Sequence, residues 1–131
     1  MMDGREPVIM RDRVMDQETA RIARDLMRRV MAEGTGKGVK KIFCDNGKYI
    51  TGPGGPNAVP VPVAGKTGTA ETGRDEKAHS WFIGFVPADN PKYAIAVIAE
   101  NKGKGAAVAT PLAVDILTQA LNNRKTVMAS R

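Results

Sequence analysis

One cysteine, Cys44, is all the thiol this 131-residue chain has, so an internal disulfide and a cysteine-rich zinc site are both excluded. Only six residues are aromatic, which suits a globular chain built largely on Ala, Val, Ile and Met. No apolar run reaches the roughly 18 residues a membrane helix needs. The opening stretch, Met1 to Pro7, has no apolar stretch of the kind a signal peptide carries. No group of His, Cys, Asp or Glu shows metal-ligand spacing, so no metal and no cofactor is expected. Serine is missing altogether from residues 1–79. What is abundant is an apolar share of 42%, which suits one globular domain and excludes a disordered or collagenous chain.

The net charge of +6 lies at the two ends. Residues 1–41 carry 10 basic and 7 acidic side chains, residues 42–121 carry 7 of each, and residues 122–131 carry Arg124, Lys125 and Arg131 with no acid. A nucleic-acid binder concentrates its positive charge on the folded face that meets phosphate, so no nucleic-acid partner is expected.

Residues 17–33 read as an amphipathic helix. Ala20, Ile22, Ala23, Leu26, Met27, Val30 and Met31 recur at helical spacing between arginines, with Asp16 placed as cap and Gly34 as stop. From Gly34 to Pro62, glycine and proline interrupt every pattern; Ile42-Phe43 and Tyr49-Ile50 allow a short hairpin or an ordered loop. Three strands follow: Val61 to Glu71, His79 to Val86, and Tyr93 to Ala99, the last apolar enough to be covered on both faces. Trp81, Phe82 and Phe85 are expected in the core. Thr110-Pro111 opens a second helix whose buried face is Leu112, Ala113, Ile116, Leu117, Ala120 and Leu121. The fold class is therefore α+β: a three-stranded antiparallel sheet with the N- and C-terminal helices on one face. Residues 1–121 form the domain, and 122–131 a basic, disordered tail.

Gly65-Lys66-Thr67 invites a phosphate-loop reading. That loop needs a glycine five residues upstream, where this chain has Pro60, which lacks an amide. The alternative is a strand, Val63-Ala64-Gly65-Lys66-Thr67-Gly68-Thr69-Ala70-Glu71, whose edge offers backbone to an extended peptide beside a cation.

Lys66-Thr67-Gly68 resembles the third motif of the penicillin-binding proteins and serine β-lactamases. Alone it is a weak signal; its surroundings make it specific. Gly34-Thr35-Gly36, the strand Ala64 to Glu71, His79-Ser80-Trp81-Phe82-Ile83-Gly84-Phe85-Val86-Pro87, Pro91 to Val97, and Glu100-Asn101 with Thr110-Pro111 follow the order of the class B, monofunctional penicillin-binding proteins, over roughly residues 12–121.

The resemblance implies a role for each matching residue. Lys66 binds the substrate's terminal carboxylate and supports proton transfer, while Thr67 and Thr69 offer hydroxyls to that carboxylate or to its β-lactam mimic. The Thr69 backbone amide is an oxyanion-hole donor. Gly68 keeps the strand open to the acyl group, and Ala70 belongs to the substrate-binding strand. The parent enzyme would cross-link peptidoglycan as a serine-type D,D-transpeptidase at the outer face of the bacterial cell membrane. Its partners would be stem peptides ending in D-Ala-D-Ala, and β-lactams.

The family acylates a serine in Ser-x-x-Lys, assisted by Ser-x-Asn, both upstream of Lys-Thr-Gly, and neither occurs here. The chain is thus expected to be the C-terminal piece of a transpeptidase domain, inactive alone and exposing apolar surface or a strand edge through which it forms a homo-oligomer. His79 and Ser80, adjacent on a strand, point to opposite faces and cannot act as base and nucleophile. Two alternatives remain: a D,D-carboxypeptidase or β-lactamase of the same fold, and a non-catalytic peptide- or β-lactam-binding or sensor module.

Overall fold

The computed structural model describes residues 6–73 and 76–129, with side chains as far as Asn123 in the last helix. The element order is α1 (Gln17–Ala32), β1 (Ile42–Asp45), β2 (Lys48–Thr51), β3 (Val59–Val61), β4 (Ala64–Ala70), β5 (His79–Val86), β6 (Tyr93–Ala99) and α2 (Ala109–Ala129). Strands β4, β5 and β6 form an antiparallel sheet in sequence order, with Thr67 opposite Phe82 and Phe82 opposite Val97. This is the expected sheet, except that its first strand begins at Ala64, Val61 ending β3 of the other sheet instead.

The hairpin allowed for at Ile42-Phe43 and Tyr49-Ile50 forms, and a third strand, not legible in the sequence, completes a second sheet. Its order is β2-β1-β3. The hairpin turns at Asn46-Gly47, both at positive φ (48° and 80°), as the twist of a two-residue turn requires. Strand β3 then returns antiparallel to β1, and its Pro60 is tolerated because β3 is an edge strand.

Asp16 caps α1 by accepting a 2.7 Å hydrogen bond from the Thr19 amide, which holds its carboxyl below the ordinary carboxylate range. The helix packs on β4, and only one side of its apolar stripe finds a partner. Ile22 and Leu26, expected inward, are 51% and 58% exposed. Strand β5 alternates strictly: Ser80, Phe82, Gly84 and Val86 are buried, while Trp81 and Ile83 are exposed. Among the expected core aromatics, Phe82 is fully buried, Phe85 is half-buried, and Trp81 lies on the open face.

The inner face of the sheet carries both helices. Phe82 and Val97 pack with Ala109 and Ala113 of α2, and Met31 of α1 closes on the same cluster. A second cluster, Ile42, Val86, Val114, Leu117 and Leu121, joins the hairpin sheet to α2. The Phe82 ring lies across Gly65 and Gly84, where an added Cβ would come within 2.2 Å and 2.6 Å of its carbons. Those two paired glycines are therefore a seat for the ring.

Two expectations are corrected here. The outer face of β6 is open: Ala94 and Ala96 are exposed and Ile98 is 44% exposed, because no layer covers that side among the described residues. Leu112 and Ile116 of α2 are 46% and 44% exposed, since the helix buries the stripe through Ala113, Val114, Leu117 and Leu121 instead. At residue 122 the chain is still within α2. Asn122 accepts from the Tyr49 amide (2.9 Å) and donates to its carbonyl (2.8 Å), and the α2 backbone continues to Ala129. The side chains of 124–131, on which the tail expectation chiefly falls, lie outside the described residues.

Candidate active site

Lys66, Thr67, Gly68, Thr69 and Ala70 occupy one continuous strand, and among the described residues that strand is an edge: β4 pairs there with β5 alone. Alternation divides the motif between two faces. Lys66 stands on the open side, exposed, with Nζ 2.6 Å from the carbonyl oxygen of Thr67. Among the described residues no carboxylate is in ion-pair reach of it, so its charge is available at the strand edge.

Thr67 points the other way, beneath α1, and is 8% exposed. Its Oγ1 lies 2.6 Å from Thr35 Oγ1, and either hydroxyl can be the donor. Thr35 is the central residue of Gly34-Thr35-Gly36, where the chain turns sharply off the end of α1. The amides of Gly34 and Gly36 both donate to the Val30 carbonyl, at 3.1 Å and 3.0 Å. A Cβ on Gly34 would stand 3.0 Å from Val30 backbone, and one on Gly36 would stand 2.6 Å from Met31 Sδ. The flanking glycines let the chain hug the helix end, and the threonine between them is thereby delivered to the Lys66 strand.

Gly68 and Thr69 are held by the segment that leads into α2. Gly105 lies so close to β4 and β5 that a Cβ there would be 2.3 Å from Gly68 O and 2.5 Å from Trp81 O. Its amide donates to Thr69 Oγ1 (3.3 Å), and its carbonyl accepts from the Thr110 amide and hydroxyl (both 3.0 Å). Beside it Ser80 is completely buried; its Oγ donates to Lys104 O (3.1 Å) and accepts from the Ala109 amide (3.0 Å). A serine engaged in both directions and shielded from solvent is a structural clamp.

His79 is on the opposite face from Ser80, as alternation requires. Its Nδ1 accepts from the Asn101 amide at 3.1 Å, which fixes the turn where Asn101 adopts φ 55°. Cys44 is a half-buried free thiol on β1, paired in register with Tyr49. No group of three His, Cys, Asp or Glu side chains is placed to hold a metal among the described residues, and no described helix is long and apolar enough to cross a membrane. A cavity of about 510 Å³ lies between α1, β1, β3 and α2, over Met31, Ile42, Val63 and Val114; it takes in none of residues 66–70 and is separate from the motif.

The sequence missed three contributors: Thr35, Gly105 and Ser80. Gly-Thr-Gly was visible as a motif, but its partner hydroxyl is 32 residues away and the pairing exists only in the folded chain. Gly105 and Ser80 carry no local pattern that distinguishes a clamp from an ordinary loop or strand residue.

Residues 3–118 match the family described as penicillin binding protein transpeptidase domain. Among curated proteins, the chain is 42% identical over 73 residues to the peptidoglycan D,D-transpeptidase PbpA of Mycobacterium tuberculosis, covering 49% of this chain and 15% of that protein. It is 33% identical over 122 residues to stage V sporulation protein D of Bacillus subtilis, covering 86% of this chain and 16% of that protein. Among solved structures, the imipenem acyl-enzyme complex of penicillin-binding protein A from M. tuberculosis superposes with a TM-score of 0.60 at 31% identity, over 85% of this chain and 21% of that one. The chain thus spans about one seventh of the length of the curated relatives it matches.

Proposed function

The chain belongs to the penicillin-binding protein transpeptidase family, and from that membership we propose that it forms the Lys-Thr-Gly wall of a serine-type peptidoglycan D,D-transpeptidase. The observation that carries the reading is Lys66-Thr67-Gly68-Thr69 on an unpaired strand edge, with an unneutralised ammonium at its open side. An edge strand binds an extended peptide through backbone hydrogen bonds, and a cation beside it selects for a carboxylate terminus.

In this proposal a stem peptide ending in D-Ala-D-Ala, or a β-lactam, lies along β4 next to Ala70. Lys66 attracts its carboxylate. Thr69 accepts from the Gly105 amide and so keeps its own hydroxyl proton to donate. The Thr69 backbone amide supplies an oxyanion donor for the tetrahedral intermediate, where charge develops only in the transition state. A serine contributed by another part of the protein attacks the carbonyl and gives up its proton to a base; the peptide bond breaks and D-Ala leaves carrying a proton. An amine of a neighbouring stem peptide then resolves the acyl-enzyme. Gly68 presents no side chain to the acyl group.

This chain by itself, without Ser-x-x-Lys or Ser-x-Asn, forms no acyl-enzyme. Its open sheet face, bearing Trp81, Ile83 and Ile98 between two strand edges, supports self-association when the chain is isolated. The whole protein would work at the outer face of the bacterial cell membrane, and residues 1–121 would be the C-terminal part of its transpeptidase domain.

The experiment is a fluorescent-penicillin labelling assay on the full-length protein and on the 131-residue chain. Covalent labelling of the full-length protein alone is expected. A label on the isolated chain overturns its inactivity, and an unlabelled full-length protein lacking both upstream motifs makes this a binding module.

A further inference from the structure

We propose that Thr35 is a positioning residue that sets the hydroxyl of Thr67 to receive a substrate carboxylate, an inference that rests on the transpeptidase reading above. The hydroxyl pair at 2.6 Å is a side-chain link between the Gly-Thr-Gly turn and the Lys-Thr-Gly strand, spanning 32 residues of sequence. Its geometry is set at both ends. Thr35 is held by a turn whose glycines close on Val30 and Met31, and Thr67 is held in register opposite Phe82 at the centre of the sheet.

Proton counting then assigns a direction. Each hydroxyl has one proton to donate and lone pairs to accept with. With no ligand bound, the pair is satisfied whichever way the proton lies. A carboxylate can only accept, so once it reaches Thr67 the Thr67 proton must turn toward it. The 2.6 Å contact survives only with Thr35 as donor. Thr35 thus has one role in the bound state: it donates to Thr67, fixes the rotor of that hydroxyl and polarises it toward the anion, as chained hydrogen bonds do. Without that donor, the part-buried Thr67 hydroxyl loses its side-chain partner at the moment the substrate docks.

The function also accounts for the motif. The two glycines bring the helix end against the strand, and a residue between them that is short, branched and hydroxylic can meet Thr67 without displacing Met31. Valine keeps that shape and removes the proton; serine keeps the proton and removes a methyl group.

The test uses the full-length protein and a penicillin whose acylation can be followed in real time. Thr35→Val is expected to lower the second-order acylation rate about 5- to 20-fold through weaker initial binding, with the first-order acylation step nearly unchanged. Thr35→Ser is expected to restore it to within about twofold. Two readouts separate positioning from simple support of the fold. The penicillin methyl ester, which has no carboxylate, should acylate Thr35→Val and wild type at the same rate. In a Thr67→Val background, Thr35→Val should have no further effect.

Failure modes are distinct. If wild type is not acylated at all, the transpeptidase reading falls. If wild type is acylated and Thr35→Val matches it, or slows ester and acid equally, or adds fully to Thr67→Val, the positioning role falls and the family reading stands. A Thr35→Val protein too unstable to assay hands the decision to Thr35→Cys, whose weak S–H donor should give an intermediate rate with the acid and the wild-type rate with the ester.

Discussion

Replacing Gly105 by alanine perturbs the candidate site from behind, and the structure supplies the size of the effect. The new methyl carbon would sit 2.3 Å from Gly68 O, 2.5 Å from Trp81 O and 2.9 Å from Gly68 N. All three are backbone atoms of the paired strands β4 and β5, so no rotamer change relieves the overlap. To reach even a tight contact, the segment must lift by about 0.7 Å. That motion stretches the Gly105 amide bond to Thr69, already 3.3 Å, and loosens the two bonds from Thr110. Overpacking of this kind costs about 1–3 kcal/mol, and weakened hydrogen bonds add about 0.5–1.5 kcal/mol each. The stiffer unfolded chain returns about 0.4–1 kcal/mol. A net loss of about 3–5 kcal/mol is expected, a large part of the stability of a domain this size. Urea unfolding followed by far-ultraviolet circular dichroism measures it. Gly103→Ala is the control, because Gly103 has φ +91° with no atom within 4 Å of an added Cβ, so strain alone is felt, about 1–2 kcal/mol. If Gly105→Ala proves no worse than Gly103→Ala, the close approach of this segment to Gly68 is wrong.

Two further outcomes are expected. Ser80→Ala should destabilise the chain by about 1–3 kcal/mol in the same urea experiment, because it strands the buried Ala109 amide and the Lys104 carbonyl; a neutral substitution would mean that water replaces the hydroxyl. The Asp16 cap lowers that carboxyl below its ordinary value of 3.8, so its stabilisation is present above about pH 4 and is lost as pH falls through the folded-state value. The protection factor of the Thr19 amide, its exchange rate relative to the unstructured rate at the same pH, should fall over that acid range in wild type and be already low, and flat with pH, in Asp16→Ala.

Much of this molecule is legible in the order of its residues. The 3.6-residue recurrence from Ala20 to Met31 with Asp16 before it is a capped helix, and the alternation from Ser80 to Val86 is a half-buried strand. Both signals are local: they follow from the geometry of neighbouring side chains and need no knowledge of the rest of the fold. The same holds for Lys66-Thr67-Gly68, where Pro60 excludes a phosphate loop and leaves a strand. Ile22, Leu26, Leu112 and Ile116 show the limit of such reading. Each sits at a helical position marked as inward, yet each is exposed, because burial depends on where a neighbouring layer ends.

Sequence alone determined the secondary elements around the Lys66 strand, the separation of His79 from Ser80, and the family resemblance, since each rests on residues that are adjacent or periodic. Tertiary structure decided what those residues touch. It joined β3 to the hairpin, set Phe82 over Gly65 and Gly84, pressed Gly105 onto Gly68, and brought Thr35 to Thr67 across 32 residues. Contacts of that range form only after loop entropy has been overcome by the packing of whole elements, so no short window of sequence records them.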